Sequence, residues 1–159
     1  MFTLKRIQQL PISIKEAWEF FSNPKNLASI TPSKLKFEIL TDLPAEIYNG
    51  LIVAYHVCPI AGIPMKWVSE IKDVRTGVTF TDDQRIGPYK LWHHQHNFRS
   101  IEGGVEMEDI INYALPWGAL GSLAHEMFVK KDLEHIFEYR RNKLGTLFGK
   151  YKQPERIKK

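Results

Sequence analysis

Tyr89-Lys90-Leu91-Trp92-His93-His94-Gln95-His96-Asn97-Phe98 decides how the rest of the chain is read. Its character changes every second residue, the period of a β-strand. Trp92, His94, His96 and Phe98 share one face, while His93, Gln95, Asn97 and Arg99 share the other. The first face carries the large aromatics, so it is the one expected to point inward.

Working outward, the same texture runs from Leu35 to Leu115. Val78–Gln84 precedes the stretch across the turn Ile86-Gly87-Pro88, and Val105–Leu115 follows it across Glu102-Gly103-Gly104. In these flanking strands Phe80 aligns with Asp82 and Gln84, and Met107 with Asp109, Ile111 and Tyr113. Upstream, Arg75-Thr76-Gly77 turns the chain out of Met65–Val74, where Met65, Trp67, Ser69 and Ile71 share a face. Gly50 opens a strand over Leu51–Val57, and Lys34–Ile39 alternates polar and apolar as a further one. Successive strands with polar outer faces predict an antiparallel meander covered on one side.

The ends of the chain read differently. Phe2–Gln8 is a first strand. Ser13 and Glu16 form a capping-box pattern, and Ala17, Phe20 and Phe21 follow at helical spacing, so a short helix is expected over Ile14–Phe21. Asn23-Pro24 starts a second short helix with Leu27 and Ile30 on its apolar side, and Thr31-Pro32 stops it. From Leu120 to Phe148 a proline-free run carries Leu123, Met127, Leu133, Ile136, Phe137, Leu144 and Leu147 in one stripe. Such a helix, roughly 25 residues and nearly 40 Å long, can cross a whole sheet. The fold class expected is α+β: a curved antiparallel sheet of about seven strands, two short helices after the first strand, and a long C-terminal helix.

Bulk properties narrow the class of function. The 159 residues are 43% hydrophobic and 25% charged, with a net charge of +4, an ordinary globular balance that demands no nucleic-acid partner. Much of the basic excess lies in the last ten residues, at Lys150, Lys152, Arg156, Lys158 and Lys159, which read as a flexible tail after one domain over residues 1–149. Cys58 is alone and has apolar neighbours, which excludes an internal disulfide. No apolar run has the length of a membrane span, and the first ten residues lack the apolar core of a secretory leader. A cytoplasmic protein, monomer or homodimer, is expected.

Several local sequences carry a more specific likeness: Asn26-Leu27 with Ile30-Thr31-Pro32, Gly62-Ile63-Pro64 with Trp67, Phe80-Thr81-Asp82-Asp83-Gln84 running into Gly87-Pro88-Tyr89, Trp92 to Phe98, Asp109 with Tyr113, and Pro116. In this order the chain resembles the START-like, or SRPBCC, superfamily of helix-grip domains, and within it the bacterial branch called ligand-binding SRPBCC domain. The resemblance covers Phe2 to Gly149. It implies a deep pocket between the inner face of the sheet and the C-terminal helix. Members of the superfamily bind lipids, sterols, hormones or polyketides, and a few are cyclases or dehydratases; some of the branch carry a cell-division-inhibitor label.

Joined to the strand faces, that implication places Trp67, Phe80, Asp82, Gln84, Trp92, His94, His96, Phe98, Met107, Asp109, Tyr113 and the helix residue Met127 around a small hydrophobic or amphipathic ligand. Buried polar groups without partners cost roughly 1–3 kcal/mol each, so those among them need a reason to be there. They can satisfy one another, Asp109 accepting from His94 or His96 and Gln84 bridging to Tyr113. They can orient a ligand. A His–Asp pair drawn from His94, His96 and Asp109 can also work as general acid and base, the route to a cyclase or dehydratase. His94-x-His96 with Asp82 or Asp109 has the types of a metal site, but no fourth histidine is placed to help, and no metal or cofactor is expected. His56, His125 and His135, with the pairs Lys130-Lys131 and Arg140-Arg141, read as solvated. Trp117 reads as packing where sheet meets helix. The leading expectation is a binding module; an interaction domain acting through the basic tail is a third possibility of another class.

Overall fold

Period-two patterning becomes a seven-stranded antiparallel sheet in the computed structural model, which describes residues 1–60, 63–116, 118 and 128–153. The strands are β1 (Phe2–Leu10), β2 (Glu38–Ile39), β3 (Ile52–Ile60), β4 (Ile63–Arg75), β5 (Thr79–Ile86), β6 (Leu91–Ile101) and β7 (Gly104–Ala114). Their order is β1-β7-β6-β5-β4-β3-β2, so β3 to β7 form a meander and the first strand returns to pair with the last. Glycine with positive φ makes the turns at Gly77 and Gly103, where a side chain would be strained. Register shifts in β4, after Val68 and again between Lys72 and Arg75, add the bends that curve the sheet.

The helix α1 covers Ile14–Phe21 and carries the expected capping box: Glu16 N–H donates to Ser13 Oγ at 3.2 Å, and Ser13 N–H to Glu16 Oε2 at 2.8 Å. Pro24–Ile30 follows as a 3₁₀ helix capped by Asn23. The expected strand over Lys34–Ile39 is corrected. Ser33–Leu35 is a 3₁₀ turn closed by Leu35 N–H to Pro32 O at 2.9 Å, and Lys36 takes φ 46°. That left-handed residue breaks the pleat, so only Glu38 and Ile39 pair with β3.

The helix α2 runs over Lys130–Phe148 and lies on the concave side of the sheet. Most of the segment before it lies outside the described residues, and with it Trp117, Leu120, Leu123, His125 and Met127. Gly62 and residues 154–159 lie outside as well. Leu133, Phe137 and Leu144 are buried as the stripe predicts, whereas Leu147 is exposed. Arg140, read from sequence as solvated, is buried and is corrected to an interior residue; it follows Leu133 and Phe137 at helical spacing, and that stripe governs it. The first part of the basic tail is docked: Tyr151 Oη donates to Glu102 O at 2.7 Å.

Two apolar clusters fill the concave face. One gathers Leu10, Trp18, Phe80, Phe98, Val105, Met107 and Leu144. The other gathers Leu4, Trp67, Tyr89, Trp92, Ile111, Tyr113, Leu133 and Phe137. Between them, on β5, β6 and β7, lies a row of polar side chains.

Candidate functional site

Register builds that row. Asp82 on β5 lies opposite His94 on β6, and His96 lies opposite Asp109 on β7. Alternation along β6 points both histidines inward, Phe98 below them joins one apolar cluster, and Trp92 above them joins the other. His94 and His96 are each 6% exposed, Asp109 2% and Arg140 8%.

The histidine rings are 3.8 Å apart between centroids, and Phe80 stacks on His96 at 4.2 Å. Both rings span the gap between the same two carboxylates. His94 Nε2 lies 2.9 Å from Asp109 Oδ1 and its Nδ1 3.3 Å from Asp82 Oδ2. His96 Nε2 lies 3.0 Å from Asp82 Oδ2, and its Nδ1 3.1 Å from Asp109 Oδ1 but off the hydrogen-bond axis. Trp92 Nε1–H donates to Asp82 Oδ1 at 3.2 Å. Arg140 reaches in from α2, its guanidinium 3.6 Å from Asp109 Oδ1 and packed against the rings of Phe21 and Phe137.

These distances set the charge states. Burial pushes the Asp109 carboxyl up, but Arg140, His94 and His96 outweigh it and hold the group well below its ordinary 3.8. For Asp82 burial is likewise outweighed by His94 and His96, and its pKa is lowered. Burial alone would favour a neutral His94, yet Asp82 and Asp109 hold its pKa above 6.5. The row therefore contains two anionic carboxylates, the Arg140 cation and an imidazole whose proton is retained more firmly than in water.

A cavity of about 220 Å³ opens beside this row. Asp82, His94, His96 and Arg140 line it together with Asn23, Asn26 and Thr31; Tyr55, Trp67, Trp92, Phe80, Ile71 and Phe137 supply aromatic and aliphatic wall. Trp67 Nε1–H is satisfied by Ser69 Oγ at 3.0 Å, so the indole offers the cavity its apolar body. Burial, and then the charge of Asp82, pushes the Tyr55 hydroxyl well above its ordinary 10.0 and keeps it a neutral phenol.

The residues singled out in the sequence divide into three groups. Trp67, Phe80, Asp82, Trp92, His94 and His96 line the cavity. Asp109 stands behind the histidines, bordering a second space of about 50 Å³ with Arg140, while Phe98, Met107 and Tyr113 are packed in the clusters. Gln84 does not bridge to Tyr113: its side chain clamps the β5–β6 connection, Nε2–H donating to Tyr89 O at 2.6 Å and Oε1 accepting Tyr89 N–H at 3.2 Å. Arg140 is the site residue the sequence reading missed. Its signal was its place in the stripe, three residues after Phe137 and four before Leu144, although its neighbour Arg141 is exposed.

No protein-family model matches the chain, and no curated protein matches it in sequence. Solved structures do share its architecture. Protein CV1439 from Chromobacterium violaceum superimposes with a TM-score of 0.72 at 10% identity, covering 95% of this chain and 100% of its own. Ara h 8.0201, a helix-grip protein, gives 0.58 at 12% identity over 91% and 98%. A nucleoside-diphosphate sugar epimerase from Corynebacterium glutamicum gives 0.63 at 23% identity; 89% of this chain matches, but only 28% of the epimerase chain. At these identities the likeness is one of fold. The fold of this chain is the helix grip.

Proposed function

We propose that residues 1–149 act as one START-like domain of the SRPBCC type that takes up a small hydrophobic or amphipathic molecule between sheet and C-terminal helix. The observation that carries this reading is the cavity: largely aromatic and aliphatic walls with a few polar groups among them, including the connected set Asp82, His94 and His96, as ligand sites generally have. A space of roughly 150 Å³ is enough for benzene, so about 220 Å³ suits a single-ring compound or a short amphipathic chain. Removing its apolar surface from water contributes about 25 cal/mol per Å² before entropic costs. His94, His96, Asp82 and Arg140 meet the polar end of such a molecule, and Asp109 holds them. The setting proposed is cytoplasmic, as a monomer or homodimer without nucleic acid; among the described residues no helix is long and apolar enough to cross a membrane.

Native mass spectrometry of protein purified from its own host tests the reading directly. A small molecule bound one to one is the expected result. An empty protein that also shows no saturable change in tryptophan emission with single-ring acids, phenols or short fatty acids would sink it. In the same assay His96→Phe is expected to weaken ligands with polar heads and to spare purely apolar ones.

A second reading, an enzyme of cyclase or dehydratase type, is favoured by one feature: His94 sits on the cavity wall with a carboxylate against each ring nitrogen. A substrate group that takes the place of Asp82 at His94 Nδ1 can accept the proton there while Asp109 holds Nε2–H, and the neutral ring then takes a proton back from water. Turnover with a bell-shaped pH profile, abolished in His94→Ala, distinguishes it from a carrier.

A further inference from the structure

Asp82 Oδ2 lies 3.3 Å from His94 Nδ1 and 3.0 Å from His96 Nε2, and one donor atom from each of the three residues lies within 4.8 Å of the others. Ligands about 2.1 Å from a common ion are about 3.0 Å apart at octahedral angles and about 3.4 Å apart at tetrahedral ones. Asp82 and each histidine already have that spacing. We propose that Asp82, His94 and His96 bind a divalent first-row transition-metal ion, with Asp109 as the positioning carboxylate behind both rings.

Asp109 supplies a second, independent observation. A metal-bound imidazole commonly donates its other N–H to a carboxylate, which fixes tautomer and ring orientation. Here one carboxylate oxygen is hydrogen-bonded to His94 Nε2 at 2.9 Å and lies 3.1 Å from His96 Nδ1, near both rings. His96 Nδ1 is buried without a hydrogen-bond partner; an ion on Nε2 places the proton on Nδ1, and a small turn of the ring gives that proton to Asp109. Phe80 stacked on His96, and Arg140 beside Asp109, hold this half of the site in place. Asp82 is prepared too: Trp92 occupies its Oδ1 and leaves Oδ2 facing the histidines.

Charge and access agree with the geometry. A divalent ion that takes the place of the protons shared between Asp82 and the two imidazoles keeps the buried carboxylates paired with positive charge. Asp82, His94 and His96 line the cavity, so the remaining coordination positions open toward it, to water or to an oxygen of a bound molecule. Two imidazoles and one carboxylate with open positions select zinc, iron or a similar ion over calcium or magnesium. Three protein ligands suffice for an open site, so the missing fourth histidine is no obstacle. Metal uptake is independent of organic-ligand binding and can be measured with the cavity otherwise empty.

The test uses the full chain, untagged and stripped with chelator. Calorimetric titration with Zn²⁺ is expected to show one equivalent bound, weakened at least 100-fold in His94→Ala or His96→Ala. Asp109→Asn should weaken it by about 10–100-fold. His56→Ala and His93→Ala, outside the cavity, should change nothing. Pulsed electron paramagnetic resonance of the unmutated protein with one equivalent of Cu²⁺ needs no variant to fold, and is expected to show two imidazole nitrogens. No stoichiometric Zn²⁺ uptake, a Cu²⁺ signal lacking two imidazoles, or full affinity in a folded His94→Ala/His96→Ala double variant would overturn the proposal.

Discussion

Arg140 places a cation beside a carboxylate that is almost wholly out of water. Removing Arg140 takes away one charge partner but leaves Asp109 its hydrogen bond to His94, so the loss should fall below the roughly 3–5 kcal/mol of an orphaned buried charge, at about 1–3 kcal/mol. Arg140→Met is therefore expected to lower the free energy of urea unfolding by that amount, and Arg140→Met/Asp109→Asn to recover part of the loss. Strictly additive losses in the two variants would show that the pair is not coupled. At this scale the sequence was informative about side and silent about pairing. Alternation turned His94, His96 and Asp109 inward, but which carboxylate meets which ring depends on cross-strand register, and the hydrophobic pattern fixes that register only together with the turns. Arg140 escaped for another reason: its charge outweighed its place in the stripe.

Elements are where local chemistry can be tested one at a time. Ser13→Ala should cost α1 about 1 kcal/mol, the usual worth of an N-cap side chain, read by chemical denaturation. Glu16, its partner, has a carboxyl held below 4.5 by the Ser13 side chain and then by the Ser13 N–H. A lowered folded pKa means that its contribution is present above the unfolded value and is lost as pH falls through the folded one. The stability difference between wild type and Glu16→Gln should accordingly shrink below about pH 4; a constant difference across that range would rule out the carboxylate as its source. At Gly104 an added Cβ would meet the carbonyl oxygen of Leu10, a backbone atom that cannot swing away. Gly104→Ala is expected to loosen the end of the β1–β7 pairing, seen as faster amide exchange at Leu10 and Val105, while the same change at half-buried Gly145, with open space around its added Cβ, should be harmless. Capping and turn residues made α1 and most strands readable within a residue or two. The stretch after Pro32 was not, because alternation there is real but a left-handed Lys36 interrupts it.

At the scale of the whole molecule, a ligand that binds only the folded form raises the melting temperature in proportion to the logarithm of its concentration. A binder found by mass spectrometry should do so here, and its effect should fade when the cavity is filled by Val53→Trp in a protein that still folds. The fold was legible because strands and helix stripe are written in periodicity; the cavity was expected only through the family likeness, because empty space is a property of how two surfaces meet. The pairing of β1 with β7 has a further bearing on how the protein comes into being. Phe2 meets Tyr113 and Leu10 meets Val105, so that seam joins residues about a hundred positions apart, whereas β3 to β7 join by short turns. Closing so long a loop is slow compared with zipping a meander. During synthesis the strands bearing His94, His96 and Asp109 emerge before α2, and the first strand must wait for the last. We expect the nascent meander to expose its charged row to water until both chain ends arrive, so that the protein assembles around a wet centre and dries it last; pulsed hydrogen exchange, with β1 and α2 protected after β5 and β6, is the signature of that sequence of events.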